Sequence, residues 1–213
     1  MKIDIWMDFV CPYCYLGTYR LEEALRQLNP EEPVELIYHS YELDPKAPMK
    51  SGQLQTEDLM RKYGITEEQA LESAEELRSQ GEELGLEIHA DRALVTNTYD
   101  AHRVAQLALE KDPQMAMDFA KKLFKLYFTD SEDIGDPNLL IEAAEAIGLN
   151  RDSVIEVMVG DAYKQAVKDD IRLGQDVSLQ GVPHFVINEK YAVSGAQAPT
   201  TFVRVLTQII DNG

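Results

Sequence analysis

Cys11 and Cys14 are the only cysteines in the 213-residue chain, and they stand three positions apart in "DFVCPYCYLG". Disulfide stabilisation grows with the length of chain enclosed, so a ring this small is a poor structural staple. Three readings remain: a redox pair, half of a metal site, or two small core residues that happen to be neighbours. For the redox reading, Cys11 follows a strand pattern and precedes a helical one, where unpaired N–H groups and the helix dipole favour an anion. A thiolate is such an anion and is the reactive form of the residue. Pro12 suits a first helical turn, having no N–H to leave unpaired. Cys14 falls about one turn later and is expected to be more covered. Cys11 is then the exposed attacking sulfur, and Cys14 resolves the mixed disulfide. Zinc needs two further ligands, and the histidines at 39, 89, 102 and 184 form no pair at ligand spacing.

A second candidate element is "GVPHFVI", a strand that begins on Pro183. Proline there marks an edge or a bend. An X-Pro bond takes the cis form at small cost, and Val182 would then offer its backbone to a docking chain. An ordinary trans proline entering a strand is the simpler reading of these residues alone.

The elements that must position these groups are readable from periodicity. "KIDIWMDF" alternates as a strand. "YLGTYRLEEALRQL" has one apolar side and stops at Asn29 and Pro30, and "PVELIYHSYEL" is a second strand. This strand–helix–strand unit requires parallel strands. From about Leu54 to Gly160 the pattern is helical. "TEDLMRKYG" and "TEEQALESAEELRSQGEELG" each open on Thr followed by acid. "NTYDAHRVAQLALEK" has Asn97 as a cap, and "PQMAMDFAKKLFKLYFTD" opens on Pro113. "DPNLLIEAAEAIGL" and "RDSVIEVMVG" read as two short helices around Gly148. "DAYKQAVKDDIRLGQDVSL" is another helix, "GVPHFVINEKYAVSGAQ" a hairpin turning at 188–190, and "PTTFVRVLTQII" a closing helix. The expected architecture is an α/β domain from residues 1–50 and 160–213, interrupted by a helical insertion over 51–159.

Bulk properties narrow the function. A net charge of −18 disfavours nucleic acid and anionic membrane surfaces. No apolar run approaches the roughly 20 residues of a membrane span. The first residues alternate and carry Asp4 and Asp8, unlike a secretory signal, so a cytoplasmic location is expected. In a reducing compartment a C-x-x-C pair points to catalysis, redox sensing or metal binding.

This element order, with a C-x-x-C opening the first helix and Val-Pro entering the third strand, resembles the thioredoxin fold. The helical block resembles the elaboration found in the DsbA family. More closely, "DFVCPYCYLG", "YELDP", "KYGIT", "NTYDAHR", "LFKLYFTDSEDIGD", "QGVPHFVIN" and "YAVSGAQ" are similar, in order, to the FrnE-like branch. That branch is related to 2-hydroxychromene-2-carboxylate isomerases and kappa-class glutathione transferases. The resemblance implies a nucleophilic Cys11, a resolving Cys14 and a cis Pro183, with Val182 offering backbone hydrogen bonds to a peptide or glutathione. It further implies that Ser194, Gly195 and Gln197 belong to a ligand loop, and that Asn97 and His102 lie near the cleft. Pro12 and Tyr13 complete the expected substrate contacts.

Other roles for these residues stand beside the implied ones. Asn97 is equally a helix cap, and His102 a structural hydrogen-bond partner. His184 is a strand-entry residue open to solvent, Tyr15 a rim or core residue, and Trp6 a packing residue. Isomerase and transferase relatives carry serine where this chain has Cys11, so two cysteines favour dithiol–disulfide exchange. The expected function is a thiol–disulfide oxidoreductase or isomerase acting on protein disulfides or glutathione. It needs no metal or other cofactor, with glutathione as the one candidate co-substrate; whether it forms a homodimer is left open. The alternatives are a glutathione-dependent isomerase or transferase on aromatic small molecules, and a redox-independent holdase.

Overall fold

The alternation in β1 (Lys2–Met7) sends Ile3, Ile5 and Met7 to one face of a sheet and Asp4 and Trp6 to the other. A computed structural model describes residues 1–177 and 179–212. Helix α1 (Pro12–Leu28) follows β1, and the chain returns through β2 (Glu35–Ser40). Strands β1 and β2 are parallel, with Ile5 opposite Tyr38. Asn29 ends α1 in the left-handed conformation, its N–H donating to the Leu25 carbonyl, a common helix stop. At the other end of the chain β3 (His184–Ile187) and β4 (Tyr191–Ser194) form the expected hairpin, and β3 runs antiparallel to β1. The strand order is β2-β1-β3-β4. Helix α9 (Pro199–Asp211) packs beside α1, with Phe202 against Phe185 of β3.

Between β2 and β3 lie α2 (Gln55–Tyr63), α3 (Glu67–Glu82), α4 (Tyr99–Lys111), α5 (Pro113–Phe124), α6 (Pro137–Ala146), α7 (Arg151–Val159) and α8 (Lys164–Asp176). The fold class is therefore the expected one, a thioredoxin fold carrying a large helical insertion. Ser178, at the end of the segment read as the α8 helix, and Gly213, the last residue of the expected α/β domain, lie outside the described residues. Phe9 joins the two parts: it stacks on Tyr38 of β2 and His102 of α4 and meets Phe119 and Phe124 of α5.

Three local expectations are corrected. β2 stops at Ser40, because the Tyr41 N–H turns back to the Met7 carbonyl and the Leu43 N–H to the Asp8 carboxylate. Helix α2 starts a residue before Thr56, with Leu54 at its cap. A bridge between Leu54 and Leu94, with the Gln55 N–H donating to the Ala93 carbonyl, sets that boundary. The segment read as one helix from Pro113 changes at Lys125 into a π-turn reaching Thr129. Thr66 does cap α3 as expected, in a reciprocal capping box with Gln69.

Candidate active site

Cys11 is the N-cap of α1, with extended backbone and Pro12 at the first helical position. Its carbonyl accepts the first helical N–H bonds, from Cys14 and Tyr15 at 3.0 and 3.3 Å. Its side chain does not fold back onto the helix. The thiol instead donates to the Val182 carbonyl at 3.6 Å. An openly exposed Cys11 was expected; the residue is only 4 % exposed. It is reached through a cleft of about 380 Å³ that it lines together with Pro12, Tyr13 and Val182. The Val182 carbonyl lies 3.6 Å from the sulfur on its covered side.

Cys14, one turn on, is fully buried, and both cysteines are free thiols. Burial first, then its hydrogen bond to Cys11 and the charge there, pushes the Cys14 thiol well above its ordinary range. The second sulfur is thus held protonated behind the first.

The Val182–Pro183 peptide bond is cis. Pro183 comes close to α1 because position 17 is glycine: a Cβ there would lie 2.9 Å from Pro183 Cγ and 3.5 Å from Ala196 Cα. The Gly195 N–H donates to the Pro183 carbonyl at 2.9 Å, and Arg20 Nη1 reaches the Ala196 carbonyl at 2.6 Å. The loop of Ser194, Gly195 and Gln197 is therefore pinned beside Pro183. Gln197 Nε2 closes it by donating to the Ser194 carbonyl. These three residues do not line the Cys11 cleft.

Asn97 and His102 lie outside the cleft lining as well. Asn97 is buried, accepting from the Tyr99 N–H at 2.9 Å and donating to the Ala47 carbonyl at 3.2 Å. It ties the start of α4 to the loop after β2, but the cap position itself is Thr98, so Asn97 sits one residue before the cap expected of it. His102 is fully buried, stacked on Phe9. Its Nδ1 meets the Tyr38 hydroxyl in a short contact, and its Nε2 lies 3.3 Å from Asp8 Oδ1. His184, expected to be solvated, is buried beside Trp6, bonded to the Ser194 hydroxyl at 2.9 Å. Burial lowers its pKa. Tyr15 is core, while Tyr13 stands exposed at the cleft mouth. Trp6 packs on His39 and donates Nε1–H to the Asp170 carbonyl.

Sequence reading missed the opposite wall of the cleft, built by α2, α3 and the loop after β2. Leu43, Leu59, Tyr63 and Leu77 supply apolar surface there, and Gln55 Nε2 donates to the Val10 carbonyl at 3.2 Å. Lys62 bridges Asp44 at 2.5 Å and Asp58 at 2.8 Å. Its hydrogen bonds, Asp44's first, raise its own pKa. Amphipathicity marked these helices but carried no sign of which surface they face. Asp8, fully buried, was missed too; a carboxylate between Met7 and Phe9 was the available signal. Among the described residues, no three Cys, His, Asp or Glu side chains converge as metal ligands would, and no helix is long and apolar enough to cross a membrane.

Comparison with known proteins supplies the context. A family model for the DSBA-like thioredoxin domain matches residues 2–207. The crystal structure of a probable DsbA oxidoreductase from Streptomyces coelicolor superposes with a TM-score of 0.92 at 33% identity, covering 98% of this chain and 89% of that one. The cytosolic disulfide reductase DsbM from Pseudomonas aeruginosa, also solved with glutathione, aligns over the whole of both chains at 15% identity and a TM-score of 0.67. A 2-hydroxychromene-2-carboxylate isomerase aligns over the whole of both chains at 14% identity and a TM-score of 0.68.

Proposed function

The chain belongs to the DSBA-like thioredoxin domain family, and we propose that it is a thiol–disulfide oxidoreductase working through Cys11 and Cys14. One observation carries this reading: a thiol at a helix N-terminus faces a cleft, with a second, fully buried thiol one turn behind it. In the reducing direction the Cys11 sulfur attacks one sulfur of a substrate disulfide. A new S–S bond forms as the old one breaks, and the departing sulfur takes up a proton. Cys14 then loses its proton and displaces Cys11's partner. Two electrons and two protons pass from the protein dithiol to the substrate, which leaves as two thiols, and Cys11–Cys14 remains as a disulfide. The reverse sequence oxidises a substrate. The burial that holds Cys14 protonated keeps it from competing for the first attack.

Val182 faces the sulfur and, next to the cis Pro183, offers backbone to the bound segment, with Tyr13 at the mouth. Substrates are protein disulfides or glutathione mixed disulfides, no metal or nucleotide takes part, and the setting is a reducing compartment such as the cytoplasm. Single-turnover reaction of the reduced protein with a disulfide, followed by mass spectrometry, tests the assignment. Cys11→Ser is expected to abolish the reaction, and Cys14→Ser to accumulate a covalent adduct on Cys11. Loss in both variants with no trapped adduct would overturn it. Isomerase or transferase turnover with glutathione in the Cys11→Ser, Cys14→Ser double variant would favour the glutathione-dependent reading instead.

A further inference from the structure

Four large apolar side chains, Tyr13, Leu43, Leu59 and Tyr63, stand exposed around the cleft that leads to Cys11. Contiguous apolar exposure of this kind marks a binding surface. Among the described residues that line this cleft, Lys62 is the one cation, and it is committed to Asp44 and Asp58. Asp58 also receives Arg61, whose head points outward. Lys46 and Lys50, on the loop after β2, lie outside the lining. The segment from Gln55 to Glu82, which forms the far wall, carries eight Asp or Glu against three Lys or Arg. Lys62's hydrogen bond lowers the Asp44 pKa, so this carboxylate is ionised at neutral pH.

An incoming carboxylate thus meets apolar surface, a cation already satisfied twice, and the field of a molecule with net charge −18. An apolar chain with basic flanks meets complementary surface and potential.

Resting on the exchange reading above, we infer that this cleft selects polypeptide disulfides flanked by apolar and basic residues, and turns away anionic low-molecular-weight disulfides such as oxidised glutathione. The selection is made by what surrounds the sulfur; of the two carboxylates in the lining, which outnumber the one cation, Asp44 is the more exposed.

The test uses the reduced full-length protein and three probes: a disulfide peptide with Leu and Lys flanks, its Glu-flanked counterpart of equal length, and oxidised glutathione. Oxidation of the dithiol is followed by mass. The Lys-flanked peptide is expected to react about tenfold faster than the Glu-flanked one at low ionic strength, with glutathione the slowest. The two peptides should converge in about 0.5 M salt, where exposed charges are screened. Asp44→Asn should narrow the low-salt gap and the charge-dependent part of the difference from glutathione, leaving the part that apolar contact supplies. A dithiol that reacts with all three probes alike, or prefers the acidic ones, overturns the selection and leaves disulfide exchange standing. A dithiol that no probe oxidises overturns both.

Discussion

His39 sits on β2 between two carboxylates, with Nε2 2.8 Å from Asp4 and Nδ1 2.7 Å from Asp170, and its ring stacks on Trp6 at 4.4 Å. Burial alone would lower its pKa, but the hydrogen bonds to Asp170 and Asp4 outweigh this and raise it. Asp4 is lowered in return: burial works against its ionised form, and the bonds from His39 and Lys2 prevail. A raised histidine contributes stability that is fully present below the unfolded value of about 6.5 and lost as pH rises through the folded one. Asp4 contributes above the ordinary carboxylate range and loses it as pH falls through its lowered value. The contact is therefore strongest in mildly acidic to neutral solution. His39→Gln is expected to cost about 1–3 kcal/mol there, measured by urea unfolding at pH 6, and less at pH 9. A gap that widens with pH would contradict the charged form of His39. His184 titrates in both proteins and cancels in the difference. The reactive residues were legible because their chemistry is local: Cys11, Pro12 and Cys14 share one turn. Asp170 stands 131 positions from His39 and Asp8 94 from His102, and no periodicity announces pairs so distant.

Helices were readable from their apolar stripes and caps, while their junctions were not. The clearest case is the end of α7, whose last carbonyls need partners. They receive Arg103, a buried side chain from α4, which donates to the carbonyls of Val157, Gly160 and Ala162 and pairs with Asp100 at 2.9 Å. Nothing local in "NTYDAHR" marks this arginine as buried, because burial of a charge depends on the distant segment that comes to cover it. Arg103→Met keeps much of the volume and strands one buried acceptor, two part-buried ones and a carboxylate. It is expected to cost about 3–5 kcal/mol. Arg103→Lys should recover only part of this, since a single ammonium cannot replace a planar fork of donors. Urea denaturation of both variants checks the clamp; a loss below about 1 kcal/mol for the methionine variant would show that water serves these carbonyls equally well.

The boundary read near residues 51 and 159 marks a change of pattern, yet the buried aromatic contacts cross it. Phe9 packs on Phe119 and Phe124, Tyr15 stacks on Phe124 and Phe128, and Tyr38 meets His102. A hydrophobic pattern tells which face of an element is buried and not what buries it, so this shared core was illegible before the fold. Its consequence is cooperative. Removing the helical segment would expose Phe9, Tyr15 and Tyr38, so the α/β part would lose much of the core behind its first helix. The one tryptophan, Trp6 on β1, reports on the sheet, whereas far-ultraviolet circular dichroism is dominated by the helices. Unfolding in urea followed by the two signals is expected to give coincident midpoints, as a single cooperative unit requires. Separate midpoints, with tryptophan changing while helicity persists, would mean that the helices hold together without the sheet. The wall that α2 and α3 give to the cleft would then be free to move relative to Cys11.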